Sequence, residues 1–168
     1  MANIGIFYGS STGNTRDVSE KLQNAFGVDN ADLHNIADTD IETLTRYNNL
    51  IFAVSTWGAG DLQDDWEDFF PNLDTIDFTG KKVAVMCLGD QENYPDFFAD
   101  AMVILTEKVA ELGGTVVGET SIDGYSFDVS KSARNGKFAG LVIDEDSQSD
   151  KTDQRIGKWV ERLRSAFK

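Results

Sequence analysis

The sequence predicts an α/β fold in which helices cover both faces of a doubly wound, five-stranded parallel sheet. Short apolar runs alternate with helical patterns throughout the 168 residues. Some runs, such as residues 50–54, are almost continuously hydrophobic, which is typical of strands buried on both faces of a parallel sheet. Since parallel strands are joined by right-handed crossovers, residues 1–168 are expected to form one domain with strand order 2-1-3-4-5.

Each predicted strand is a short apolar run. The strands are expected near residues 3–8, 31–36, 49–55, 82–88 and 115–119, the last resuming near 140–143. Residues 120–139 are too polar and irregular for a further helix–strand unit. They are expected to be an insertion that interrupts the last strand, with a structural surface loop as the favoured interpretation.

The predicted helices show apolar residues at helical spacing, as Val18 and Leu22 do in the first one. The helices are expected near residues 14–26, 40–47, 63–70, 98–112 and 153–166. Thr39 and Glu42 form a possible capping box at the start of the second helix. The glycines at positions 113 and 114 are a typical stop signal for the fourth.

The loop after the first strand is rich in hydroxyl groups and leads directly into the first helix. A helix N-terminus carries unpaired N–H groups and partial positive charge, so it can bind an anion. The loop contains no lysine and no G-x-G-x-x-G pattern, which excludes the nucleotide P-loop and the dinucleotide fingerprint. Neutral donors indicate a permanently bound phosphomonoester. The candidate residues are Ser10, Ser11, Thr12, Gly13, Asn14 and Thr15.

Two more loops are expected beside this one, because ligands in this topology bind at the carboxyl ends of strands 1 and 3, next to strand 4. Each loop combines glycine with an aromatic residue. A core or rim position is the structural alternative for each aromatic side chain, but together they fit two walls around a flat ring. A phosphate, a spacer and a polycyclic head match flavin mononucleotide (FMN). The candidate residues are Ser55, Thr56, Trp57, Gly58, Ala59, Gly60, Leu88, Gly89, Asp90 and Tyr94.

The formal net charge of −14 restricts the possible partners. Nucleic acid and anionic membrane surfaces would be repelled, so a macromolecular partner is expected to present a basic face. Solubility alone is the alternative explanation of the charge. A cluster of acidic residues would crowd the rim of the site and could steer such a partner. Its members are Asp61, Asp64, Asp65, Glu67 and Asp68.

The single cysteine, Cys87, excludes an internal disulfide and fits a reducing compartment. It lies in an apolar run, so we expect an inert core thiol. The N-terminus shows no secretory signal, and no apolar run reaches the length of a membrane span. These features predict a cytoplasmic protein, or one of the plastid stroma if a transit peptide was removed.

Six segments, taken in order and at their spacing, carry a family resemblance. They are Gly9–Thr15, Ser55–Trp57, Asp64 with Trp66, Glu67 and Phe69, Gly89–Gln91 with Tyr94, Gly124–Phe127, and Asp144–Asp150. In this combination the sequence resembles the flavodoxins over its whole length. The insertion at 120–139 resembles that of the long-chain type. The resemblance implies a flavodoxin-like fold and FMN as the cofactor.

The resemblance also implies roles for individual residues. Residues 10–15 would bind the FMN phosphate, and Thr56 and Asp146 would lie near the ribityl chain. Trp57 and Tyr94 would flank the isoalloxazine ring, with Tyr94 stacked on it. Backbone groups facing the pyrimidine edge would belong to Gly89, Asp90 and Phe97.

The same resemblance implies a monomeric, low-potential electron carrier that is not an enzyme, with FMN cycling between semiquinone and hydroquinone. The implied partners are a flavodoxin–NADP⁺ reductase and, depending on lineage, photosystem I, nitrogenase or pyruvate-oxidising enzymes. Two alternatives stay open, an FMN-dependent oxidoreductase with its own substrate and a receiver-type signalling domain. The only histidine, His34, is expected on the second strand away from the loops, and no Cys/His/Asp cluster indicates a metal.

Overall fold

The computed structural model describes residues 1–167, in which helices cover both faces of a central parallel sheet. The strands are β1 (Ile4–Tyr8), β2 (Ala31–Asn35), β3 (Asn49–Trp57), β4 (Asp61–Leu62), β5 (Lys82–Leu88), β6 (Thr115–Val116), β7 (Thr120–Ser121), β8 (Ala133–Arg134), β9 (Lys137–Phe138) and β10 (Leu141–Ile143). The α-helices are α1 (Asn14–Phe26), α2 (Ile41–Thr45), α3 (Asp64–Leu73), α4 (Asp100–Glu111) and α5 (Thr152–Ala166). Single 3₁₀ turns occupy Ile36–Asp38 and Ser149–Lys151.

The main strands lie in the order β2-β1-β3-β5-β10 and are parallel. This arrangement confirms the predicted order 2-1-3-4-5, because β6 and β10 share the fifth position and pair with the start and the end of β5. The register places Tyr8 beside Ala53 and Ser55 beside Leu88. The strands β1, β3 and β5 therefore end at the same edge of the sheet.

Two apolar layers enclose the sheet. On one face, α1 and α5 pack Leu22 and Trp159 against Ile6 and its neighbours. On the other face, Trp66 of α3 packs on Phe52, with ring centroids 4.9 Å apart. Burial on both faces explains why the strand sequences are continuously apolar rather than alternating.

The insertion contains more structure than its polar sequence predicted. The strands β7, β9 and β8 form a small antiparallel sheet within it. Phe138 is fully buried and lies 5.0 Å from Tyr125, while Phe127 stacks on Phe98 at 5.2 Å between ring centroids. The prediction that this segment interrupts the last strand is confirmed. A surface loop is an incomplete description, because an aromatic cluster fastens the segment to the core.

Several predicted helix boundaries differ from those in the structure; α4, for example, begins at Asp100 and not near residue 98. The N-cap of α2 is Asp40, whose carboxylate accepts a hydrogen bond from the Thr43 amide at 2.7 Å. The Thr39 hydroxyl instead donates to the Asn35 carbonyl at 2.7 Å, so the expected capping box at Thr39 is wrong. Helix α3 continues past its predicted end and includes Pro71.

Cys87 is fully buried in β5, as expected for a core cysteine. Burial raises the pKa of its thiol to about 12, which leaves the sulfur protonated and unreactive near neutral pH. Within residues 1–167, no helix combines the length and the apolar character needed to cross a membrane.

His34 lies in β2, away from the carboxyl-edge loops, and belongs to a partly buried polar group. Its ring stacks on Phe7 with centroids 4.9 Å apart, and its Nε2 lies 2.8 Å from the Tyr47 hydroxyl. That hydroxyl donates to the Asp32 carboxylate at 2.6 Å. Burial lowers the pKa of His34 and outweighs the attraction of Asp32 for the protonated ring.

This histidine is expected to make the stability of the protein depend on pH. Because its pKa is lower in the folded state, the unfolded chain binds more protons between the two pKa values. The free energy of unfolding should therefore fall as the pH drops from about 6.5 toward the folded-state pKa of His34. Urea unfolding at about pH 7.5 and about pH 5.5 should show a smaller loss for His34→Gln than for the wild type. Equal losses would contradict this origin of the pH dependence.

Candidate functional site

The loops at the carboxyl edge of the sheet enclose a cleft of about 240 Å³. Its walls come from the segments that follow β1, β3, β5 and β10, which is the location that the strand order predicts. The lining residues are Thr12, Asn14, Thr15, Ser55, Thr56, Trp57, Gly58, Leu88, Gly89, Asp90, Tyr94, Phe97, Phe98, Ala99, Glu145 and Asp146.

The first wall is the turn between β1 and α1. Gly13 adopts a φ of 94°, and its amide donates to the Ser10 hydroxyl at 3.0 Å. The first hydrogen bond of the helix runs from the Asp17 amide to the Gly13 carbonyl at 3.0 Å. The amides of residues 14–16 therefore have no acceptor within the helix. Residues 10–15 contain no Lys or Arg. This end of the cleft is therefore suited to a phosphate bound by neutral donors and the helix dipole.

The second wall is the tight turn between β3 and β4. Antiparallel pairing of these strands leaves residues 58–60 as the turn. Gly58 and Gly60 take φ values of 52° and 96°, a conformation that costs glycine little. Trp57 is 42% exposed, and its indole N–H donates to the Ser55 hydroxyl at 2.7 Å. This bond holds an exposed aromatic ring at the rim of the cleft.

The third wall is the loop after β5, which the Asp90 side chain folds back on itself. Its carboxylate accepts from the amides of Glu92 and Asn93, each at 3.1 Å. The Tyr94 amide donates to the Asp90 carbonyl at 3.0 Å. The loop thereby brings Tyr94 and Phe97 to the rim, where they are 54% and 37% exposed. Aromatic rings from two loops thus lie on one cleft.

The loop after β10 adds acidic groups at the same edge. Carboxylate oxygens of Asp90, Asp144 and Asp146 lie within 4.8 Å of one another. Burial, followed by the charges of Asp90 and Asp144, raises the pKa of Asp146. Asp144 keeps a lowered pKa, because hydrogen bonds from Ser147 and Gln91 outweigh its burial.

Most of the predicted site residues lie on the lining of this cleft. Those placed elsewhere in the same loops are Ser10, Ser11, Gly13, Ala59 and Gly60. The Ser11 hydroxyl accepts from the Gln63 side chain at 3.0 Å, and Gly60 is buried behind its turn. Lining residues that the sequence did not indicate are Phe98, Ala99 and Glu145. Glu145 could have been found from its neighbour Asp146, whereas Phe98 and Ala99 were predicted to begin a helix.

Known proteins share this architecture. The family model for flavodoxin matches residues 6–159. The flavodoxin of Nostoc sp. is 49% identical over 164 residues, which cover 98% of this chain and 96% of that protein. The flavodoxin of Synechococcus elongatus is 48% identical over 168 residues, 99% of each chain. The crystal structure of Fusobacterium nucleatum flavodoxin bound to flavin mononucleotide has a TM-score of 0.94 and 33% sequence identity, with 100% of both chains covered.

A doubly wound sheet with an aromatic cleft beside a helix N-terminus defines a class, the small α/β proteins whose ligand site lies at the switch point of the sheet. Within this class, the chain belongs to the flavodoxin family. The family resemblance carried by the six sequence segments is therefore confirmed.

Substitution of Gly60 is expected to disturb the second wall. A Cβ there would lie 2.9 Å from the Asp100 Cβ, and a φ of 96° is strained for other residues. Gly60→Ala should lower the free energy of unfolding of the apoprotein by about 2 kcal/mol or more. Gly136→Ala is the matched control, because its φ is 77° but nothing lies within 4 Å of its Cβ position. The control should lose about 1 kcal/mol; equal losses in urea unfolding would show that Asp100 does not restrict the turn.

Proposed function

We propose that this chain is a one-electron carrier that binds FMN non-covalently in the cleft. One observation carries the proposal: the exposed rings of Trp57 and Tyr94 lie on the same cleft as the loop that leads into α1, and residues 10–15 of that loop contain no Lys or Arg. The first feature fits a flat aromatic group in the ligand, and the second fits a phosphate. Membership of the flavodoxin family and the FMN-bound structure from F. nucleatum support the same ligand.

Different parts of the cleft would hold different parts of FMN. The amides of residues 14–16, together with the hydroxyls of Thr12 and Thr15, would bind the phosphate, and residues 10–15 contain no Lys or Arg. Trp57 and Tyr94 would flank the ring and exclude water from its faces. FMN supplies the redox chemistry, since its ring system takes up and releases single electrons.

Acidic side chains at the cleft favour a low redox potential. Asp90, Glu145 and Asp146 lie on the lining, and the whole chain carries a formal charge of −14. Reduction adds negative charge to a site already surrounded by carboxylates, so it is disfavoured. Burial is the main cause of the raised pKa of Asp146, and the neighbouring charges of Asp90 and Asp144 raise it further. The reduced protein is therefore a strong electron donor.

An open rim favours a carrier over an enzyme. Trp57, Tyr94 and Phe97 are exposed at the cleft, so a partner protein can approach the bound ring directly. His34 lies in β2 and cannot serve as an acid or base beside the ring. The second candidate is an FMN-dependent oxidoreductase with its own substrate. A carrier gives no turnover with NAD(P)H until a reductase is added, whereas such an enzyme does.

A basic-faced redox protein, such as a flavodoxin–NADP⁺ reductase in the cytoplasm, fits the rim as a partner. The turn after Trp57 and the start of α3 expose Asp61, Asp64, Glu67 and Asp68. Rim charges accelerate encounter but add little lasting affinity, which suits a carrier that must dissociate. The insertion between β6 and β10 supports assignment to the long-chain type of the family.

The FMN proposal predicts a yellow holoprotein with two separate one-electron couples. Quenching of flavin fluorescence on titration of the apoprotein measures affinity, and anaerobic spectroelectrochemistry measures the potentials. Tyr94→Ala should weaken FMN binding by about fivefold or more, because aromatic stacking contributes about 1 kcal/mol beyond area burial. Val129→Ala truncates a side chain that is 55% exposed and lies outside the lining, so it serves as the control. Absence of FMN binding by the wild type refutes the proposal.

The partner proposal predicts that the position of an acidic residue affects the rate of reduction more than the net charge of the protein does. Asp68→Lys reverses a charge on α3, whereas Asp29→Lys does so before β2, at the opposite edge of the sheet. At low salt, Asp68→Lys should slow reduction by the reductase by about 3- to 10-fold. Asp29→Lys should change the rate much less, and both effects should shrink at high salt. Stopped-flow rates that are equal for the two variants would exclude steering by α3.

A further inference from the structure

Asp144 is a fully buried carboxylate that receives hydrogen bonds from two loops of the cleft. Within its own loop, Oδ1 accepts from the amides of Asp146 at 3.1 Å and Ser147 at 2.9 Å, and Oδ2 accepts from the Ser147 hydroxyl at 2.6 Å. From the loop after β5, Oδ2 accepts from the Gln91 amide at 3.0 Å and from its side-chain Nε2 at 2.7 Å. These donors stabilise the buried charge without a cation.

Gln91 extends this link to the insertion. Its side chain is buried, with 5% of the residue exposed, and its Oε1 accepts from the Ser126 amide at 2.6 Å. One side chain therefore joins the loop after β5, the loop after β10 and the insertion. The roots of the two loops are also tied, since the Gly89 amide donates to the Ile143 carbonyl at 3.0 Å.

We propose that Gln91 and Asp144 are positioning residues that hold the two loops of the cleft in the geometry that binds FMN. This inference rests on the proposed function. Gln91 and Asp144 lie behind the lining, whereas Asp90, Asp146 and Tyr94 of the same two loops lie on it. The buried pair therefore acts on the ligand through its neighbours.

Pre-organisation is the physical effect of such a link. An exposed loop that is ordered only by its ligand loses conformational freedom on binding, and that loss subtracts from affinity. Here the backbone and side-chain N–H groups of Gln91 converge on one oxygen of Asp144. Two bonds to one acceptor fix both the orientation of the loop after β5 and its distance from Asp144. This loop is therefore ordered before FMN binds.

Gln91→Met tests the link between the loops, and Ser147→Ala is its matched control. Each variant removes a side-chain hydrogen bond to the same Asp144 oxygen, but the bond from Ser147 stays within one loop, whereas Gln91→Met also removes the acceptor of the Ser126 amide. We expect Gln91→Met to raise the FMN dissociation constant by about tenfold and Ser147→Ala by less than about threefold. Urea unfolding of both apoproteins corrects for lost stability, and near-UV circular dichroism of the bound flavin should change in Gln91→Met alone. Equal effects of the two variants on FMN affinity overturn the proposal.

An exchange of donor and acceptor provides a second test. Asp144→Asn turns an amide group toward the donors of Gln91 and should weaken FMN binding. Adding Gln91→Glu supplies an acceptor for that amide and preserves the acceptor for the Ser126 amide. The double variant should bind FMN at least about threefold more tightly than Asp144→Asn alone. No recovery contradicts the assigned role.

Hydrogen exchange of the apoprotein separates failure of this inference from failure of the proposed function. The amides of Gln91 and Ser126 should exchange more slowly than the amide of Asn93, which is exposed and bonded only to Asp90. Rapid exchange of both would show that the link is not formed, even if the wild type binds FMN. Slow exchange with no FMN binding would instead show that the link is formed and that the failure lies in the proposed function.

Discussion

The parallel register of β1, β3 and β5 is the constraint on which the site depends. Tyr8 lies beside Ala53, and Ser55 lies beside Leu88, so loops far apart in sequence leave the sheet at one edge. Slipping one strand by a single residue would turn its side chains to the other face and displace its loop by about 3.3 Å. The cleft is therefore a consequence of strand register, which the two apolar layers fix.

The cleft combines two opposite electrostatic requirements at that edge. At the start of α1, a phosphate can be bound by amides and hydroxyls, and no positive side chain in residues 10–15 neutralises it. At the other end, Asp90 and Asp146 lie on the lining of the cleft. A lysine in the phosphate loop would strengthen phosphate binding but would also lower the cost of adding an electron. The neutral loop keeps the site negative, which is consistent with a carrier of low potential.

The sequence predicted best those features that depend on local pattern. Buried strands such as β3 are visible as apolar runs, and their order located the loops of the site. The α2 cap was misassigned because Thr39 and Asp40 are both good caps. In the structure the Thr39 hydroxyl donates to the Asn35 carbonyl, and the Asp40 carboxylate accepts from the Thr43 amide. The aromatic cluster of the insertion and the Gln91–Asp144 pair depend on long-range contacts. Their segments are recognisable in the sequence, but the sequence does not show which of these residues contact one another.

Hydrogen bonds from the insertion stabilise a strained turn at Ala99, and this turn shapes one side of the cleft. Ala99 has a φ of 55°, which costs a residue with a side chain about 1–2 kcal/mol. The Ser132 hydroxyl donates to its carbonyl at 2.6 Å, and the Lys131 amide donates to the adjacent Asp100 carboxylate at 2.8 Å. The sharp turn separates Phe97, exposed at the rim, from Phe98, buried in the aromatic cluster. The insertion thus stabilises the unfavourable backbone conformation of Ala99, which a regular helix start would avoid. Because of this turn, the ring of Phe97 lies at the cleft.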